Sequence, residues 1–129
     1  MEVKYRIRSE LTSDNLNALF ERVWDDHEST DLNGVLLHSL TWVAAYRGDE
    51  LIGYVNVAWD GGQHAFLLDT AVDRRFRREG IGTKLVEHAV ADVRSRGLKW
   101  LHVDFEPHLE KFYRECGFRP TAAGLIQLN

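Results

Sequence analysis

The chain has 129 residues, a length that suits one domain with a core of its own. Its 16 basic and 20 acidic residues give a formal net charge of −4, which argues against the basic face of a general nucleic-acid binder. One cysteine, Cys116, excludes an intramolecular disulfide framework.

The N-terminal segment Met1-Glu2-Val3-Lys4-Tyr5-Arg6 is charged and lacks the apolar run of a signal peptide, and no stretch approaches the ~20 apolar residues that cross a bilayer. A soluble, cytoplasmic protein is expected, with no membrane partner. Val3, Tyr5 and Ile7 alternate with Lys4, Arg6 and Arg8, the period of a half-exposed strand. Thr12 or Ser13 can cap a helix whose apolar stripe is Leu16, Leu19, Phe20 and Val23. An acidic run, Asp25–Asp31, precedes a second short helix at Val35-Leu36-Leu37. Strands are expected over 42–46 and 51–59, joined by the turn Arg47-Gly48-Asp49-Glu50. A second turn, Asp60-Gly61-Gly62-Gln63, leads to Phe66–Val72, which reads as a buried strand. Leu85, Val86, Ala89, Val90 and Val93 mark a helix from Thr83 that ends at Gly97. A strand over Trp100–Phe105, a helix over His108–Cys116 and a last strand over Leu125–Leu128 follow. Consecutive hairpins make antiparallel pairs, whereas the strand–helix–strand unit from Phe66 to Phe105 demands a right-handed crossover and a parallel pair. The expected fold class is α/β (α+β): a mixed, mostly antiparallel central sheet with flanking helices, in a single domain over residues 1–129.

Four arginines and two glycines crowd Arg74-Arg75-Phe76-Arg77-Arg78-Glu79-Gly80-Ile81-Gly82, between a strand and a helix. A glycine-rich turn entering a helix exposes free backbone N–H groups at the positive end of the helix dipole, which makes an anion site. The alternative is a solvated arginine turn that merely caps the helix. A Walker loop fails on length and residue order, and a dinucleotide fingerprint fails because Leu85 stands where its third glycine belongs. Arg77-Arg78-Glu79-Gly80-Ile81-Gly82 fits R-x-x-G-x-G instead. Beyond the next strand, Phe112-Tyr113-Arg114-Glu115-Cys116-Gly117-Phe118 forms F-Y-x-x-x-G-F. With this order of elements, the two motifs resemble the GNAT superfamily of N-acetyltransferases over nearly the whole chain.

The resemblance implies acetyl-CoA as cosubstrate and no metal. It implies that Thr70, Ala71 and Val72 offer backbone groups to pantetheine. The N–H groups of Arg77, Arg78, Gly80, Ile81, Gly82 and Thr83 would hold the pyrophosphate, with arginine forks adding bonds to phosphate. Tyr113 would protonate the departing thiolate; its alternative is aromatic packing beside Phe112. Glu106 departs from the family's usual asparagine and could face the acceptor amine. Candidate bases are Asp69, Glu106, Asp104 and His102, and alternation places His102, Asp104 and Glu106 on one face of their strand. The catalytic set is read as Tyr113, Glu106 and Asp69. The acidic run Asp25–Asp31 either favours a cationic acceptor amine or is a solvated loop. Exposed strand edges could support a homodimer. A non-catalytic acyl-CoA-binding module of the same fold stays open as the alternative function.

Overall fold

The computed structural model describes residues 2–129. Its elements are β1 (Val3–Ile7), α1 (Ser13–Glu21), α2 (Asn33–His38), β2 (Ser39–Arg47), β3 (Glu50–Trp59), β4 (His64–Val72), α3 (Ile81–Ser95), β5 (Trp100–Val103) and α4 (Glu110–Glu115). Short 3-10 turns precede α3 at Arg74–Phe76 and α4 at Pro107–Leu109. The five strands lie in chain order; β1 to β4 pair antiparallel, and β4 and β5 pair parallel across the α3 crossover. The sheet is therefore mixed and mostly antiparallel, as the pattern of hairpins requires.

Each face of the sheet carries its own core. Ile81, Leu85, Val86, Ala89 and Val93 of α3, joined by Tyr113 of α4, bury against Val43, Ile52, Val55, Val57 and Leu67. Gly53 allows this approach, because a Cβ there would stand 3.0 Å from Leu85 and 3.2 Å from Ala45. On the other face, Leu16, Leu19, Phe20 and Val23 cover Trp42, Ala44, Tyr54 and Ala71. Thr12 caps α1 through its side chain and forms a reciprocal capping box with Asn15.

Two expectations need correction. Leu125–Leu128 forms no strand: Leu125, Ile126 and Leu128 are 81%, 85% and 93% exposed. A strand needs a hydrogen-bonded neighbour, and three apolar residues in a run of four do not themselves supply one. Nor is β4 buried throughout, since Phe66 and Leu68 are 39% and 38% exposed. The helices on that face cover β2 and β3 and leave the β4–β5 half open.

Candidate active site

The loop before α3 builds an anion site from backbone. Arg78 (φ 65°) and Gly80 (φ 77°) both adopt left-handed backbone, and Gly80 leads directly into α3. Lys84 N–H returns to Gly80 O at 3.1 Å, whereas the N–H groups of Ile81, Gly82 and Thr83 bond no acceptor among the described residues. Those free donors point out of the positive end of a 15-residue helix. A Cβ built on Gly80 would meet nothing within 4 Å, so glycine keeps that space open to a ligand. The loop therefore fits a pyrophosphate.

The arginines divide differently from the expectation that they collectively grip a phosphate. Arg74 pairs with Asp25, Arg75 bonds Asp73 and Glu50, and Arg77 Nη2 donates to Val23 O at 3.1 Å. Three of the four guanidinium groups thus tie the loop to its own protein. Among the described residues only Arg78 of this cluster makes no side-chain bond, which leaves its fork for an anion.

Beside the loop, the sheet opens. The β4–β5 ladder runs from His64↔Trp100 to Leu67↔Val103 and stops, while β4 continues to Val72. The outer edge of Leu68–Val72 thereby lacks a strand partner, and it includes Thr70, Ala71 and Val72. A bulge falls in the same place: Tyr54 faces Ala71 but Asn56 faces Leu68, so β4 holds an extra residue there. Asp69 takes up the distortion at φ 56°. Tyr113 crosses toward the opening and donates its hydroxyl to Thr70 Oγ1 at 3.3 Å. Phe105 stacks on its ring at 5.1 Å, while Phe112 and Phe118 meet it edge-on. Burial outweighs the Thr70 bond and raises the phenol, so it remains a proton donor at neutral pH.

Asp69 keeps contact with solvent, yet the packed atoms around it withdraw enough water to raise its carboxyl. Near it stands Tyr54, which pairs across the sheet with Ala71 and which the sequence pattern hides among core aromatics. Burial, and then the Asp69 charge, push the Tyr54 phenol upward. Tyr54 is 1% exposed and its hydroxyl bonds no group among the described residues. His102, Asp104 and Glu106 are exposed, with Leu101, Val103 and Phe105 turned inward, which matches the alternation. His102 hydrogen-bonds His64 at 2.8 Å. Glu106 instead opens the turn Pro107–Leu109, and its carboxylate bonds neither Asp69 nor Tyr113. The structure therefore brings Tyr113, Thr70 and Asp69 to one opening, and Glu106 to the turn below it.

The acidic segment is a built loop. Buried Asn17 donates to Ser13 O and Thr30 O, and accepts from Thr30 N–H, while His27 Nε2 lies 2.8 Å from its Oδ1. Nothing in the composition of residues 25–31 marks Asn17 as their anchor.

Comparison with known proteins agrees with this fold. Residues 5–118 match the sequence model of the acetyltransferase (GNAT) family. A chloroplastic GCN5-related N-acetyltransferase of Arabidopsis thaliana is 27% identical over 118 residues, which is 89% of this chain and 60% of that relative. A GNAT family acetyltransferase of Streptococcus pneumoniae superposes with a TM-score of 0.83 at 24% identity, covering 99% of this chain and 98% of its own. An N-acetyltransferase of Escherichia coli, solved in complex with CoA, shares the fold with a TM-score of 0.71 at 21% identity, covering 91% and 68%.

Proposed function

Because the chain belongs to the acetyltransferase (GNAT) family, we propose that it transfers an acetyl group from acetyl-CoA to a primary amine by direct attack in a ternary complex. One observation carries the reading: a tyrosine hydroxyl meets β4 at Thr70, where the sheet parts beside a row of free N–H groups. The free donors of Ile81, Gly82 and Thr83, the N–H groups of Arg77, Arg78 and Gly80, and the Arg78 fork suit the pyrophosphate. The unpaired edge at Thr70, Ala71 and Val72 suits the pantetheine amides. Acetyl-CoA would supply the thioester.

The chain's own groups divide the proton traffic. The attacking amine must be neutral, and Asp69 would take its proton directly or through one water. The raised carboxyl brings Asp69 toward the operating pH, which improves a base as long as it is ionised. Tyr113 gives its proton to the leaving sulfur, its hydroxyl turning from the long bond to Thr70 Oγ1 as the thiolate forms. The exposed carboxylates of the Asp25–Asp31 loop favour an acceptor that arrives as a cation.

Two measurements test this function. Acetyl-CoA at 100 times its Kd should stabilise the fold by about 2.7 kcal/mol, read as a thermal shift. Tyr113→Phe should lower kcat by about a hundredfold while leaving the KM for acetyl-CoA nearly unchanged. An absent shift refutes the cofactor, and an unchanged kcat in an assay limited by chemistry refutes the acid. A shift with no thiol release from any amine would identify a binding module instead.

A further inference from the structure

We propose that His64 and His102 form a binding site for one divalent transition-metal ion, copper(II) before any other, at the closed end of the β4–β5 fork. The site stands apart from the cofactor loop and takes no step of acetyl transfer. Its ion clips the edge strand β5 to β4.

The two strands turn these rings toward each other. His64 pairs with Trp100 and Phe66 with His102, so the histidines stand one diagonal step apart on the same face of the sheet. His64 Nδ1 lies 2.8 Å from His102 Nε2, while the ring centroids are 5.0 Å apart. The nitrogens therefore meet edge to edge. Neighbours hold both rings in place. His102 stacks on Phe66 with centroids 4.8 Å apart and planes at 21°. The His64 N–H donates to Asp60 Oδ1 at 3.3 Å, and the His64 carbonyl accepts from the Asp60 N–H at 3.1 Å. Gln63 O accepts from the N–H groups of Lys99 and Trp100, which fixes where β5 begins against β4.

An N–H···N bond keeps one proton on an edge where two lone pairs could converge. The outward nitrogens, His64 Nε2 and His102 Nδ1, bond no group among the described residues. The donating ring can move its proton to its own outer nitrogen, and both facing lone pairs then serve a cation. The spacing selects the ion. Metal–imidazole bonds of about 2.0–2.1 Å set two nitrogens roughly 2.9 Å apart at a right angle and roughly 3.3 Å apart at a tetrahedral one. The observed 2.8 Å suits adjacent corners of a square-planar ion and is short for zinc(II). Intrinsic affinity also ranks copper(II) above nickel(II) and zinc(II). The Asp60 carboxylate, tied to the N–H groups of Gly62 and His64, adds negative charge beside the site. No group of three or more His, Cys, Asp or Glu able to hold a metal occurs among the described residues, so water completes the coordination and the ion exchanges.

The edge strand gains most from such a clip. Its ladder holds four residue pairs and stops at Leu67↔Val103, where the sheet opens. An ion shared by both strands closes the end opposite that opening.

The test titrates copper(II), nickel(II) and zinc(II) chloride into the untagged chain at neutral pH. Trp100, the cross-strand partner of His64, supplies a fluorescence signal that copper(II) quenches. One equivalent of copper(II) should bind, more tightly than nickel(II) or zinc(II), and electron paramagnetic resonance should show two imidazole nitrogens. His64→Ala and His102→Ala should each weaken binding by about tenfold or more and leave one imidazole nitrogen in the spectrum. His88→Ala, which removes an exposed histidine stacked on Tyr5, should bind as the parent does. The metal-free thermal midpoint shows that each variant is folded. Copper(II) should raise that midpoint in the parent and in His88→Ala alone. Parent-like binding in His64→Ala or His102→Ala, an equal loss in His88→Ala, or tighter zinc(II) than copper(II) overturns the site. An unchanged parent midpoint at saturating copper(II) overturns the clip.

Discussion

Asp69 carries a cost that a structural residue would avoid. Its backbone is left-handed, which aspartate tolerates better than bulkier side chains, but its carboxyl is raised because the packed atoms around it withdraw water. A folded pKa above the unfolded one has a definite sign. The contribution to stability is full below the unfolded pKa and is lost as pH rises through the folded value, so at pH 7 the ionised group opposes folding. Asp69→Asn keeps the backbone preference and removes the charge. The variant should therefore be at least as stable as the parent in urea at pH 7, while kcat/KM falls by about a hundredfold and the acid limb of its pH profile disappears. A less stable variant, or an unchanged acid limb, would remove Asp69 from the chemistry. The position of Asp69 was legible because it interrupts an apolar run. That of Tyr54 was not, because its place depends on an extra residue in β4 that only the pairing register reveals.

The loop and α3 form one device, and the sequence exposed it well. Glycine spacing located the turn, and the 3.6-residue stripe located the helix, since both depend on local conformation and on one buried face. What local pattern could not supply was the set of partners for the side chains: Arg74, Arg75 and Arg77 turn back to Asp25, Asp73, Glu50 and Val23. The same limit applies to Leu125–Leu128, whose apolar residues have strand character but find no partner edge, and to β4, whose exposure is set by where α1 and α2 lie. For the loop the consequence is specific. Gly80→Ala strains a left-handed residue by about 1 kcal/mol and places a methyl group in the open space before the helix. The KM for acetyl-CoA should rise about tenfold or more, with kcat at saturation little affected, because the loss falls on binding. A tenfold fall in kcat at unchanged KM would show that the loop acts in chemistry and not in holding the cofactor.

Across the molecule, Asp73 joins the parts that must keep their places around the site. It is buried, its Oδ2 accepts from Arg22 Nε at 2.6 Å and Arg75 Nη2 at 2.8 Å, and its N–H donates to Ile52 O of β3 at 2.8 Å. Arg22 extends the link to Leu51 O, and Arg75 extends it to Glu50, so α1, the β2–β3 hairpin and the loop before α3 meet at one carboxylate. Burial alone would disfavour that charge, but the hydrogen bonds from Arg75 and Arg22 outweigh it and hold the carboxyl down to about 2. A folded pKa below the unfolded one contributes stability above the unfolded value, and that stability is lost as pH falls from near 4 through about 2. The depressed carboxyl is worth about 2.5 kcal/mol at pH 7. Asp73→Asn should lower unfolding free energy by about that amount at pH 7, and the curves of variant and parent should converge as pH falls through about 2, below which both side chains are neutral. Denaturant titrations across that range decide the matter. Parallel curves would mean that the Asp73 charge contributes nothing and that the junction is held by packing around neutral hydrogen bonds. Convergent curves would place the stability of the cofactor loop and the stability of α1 on a single ionisation.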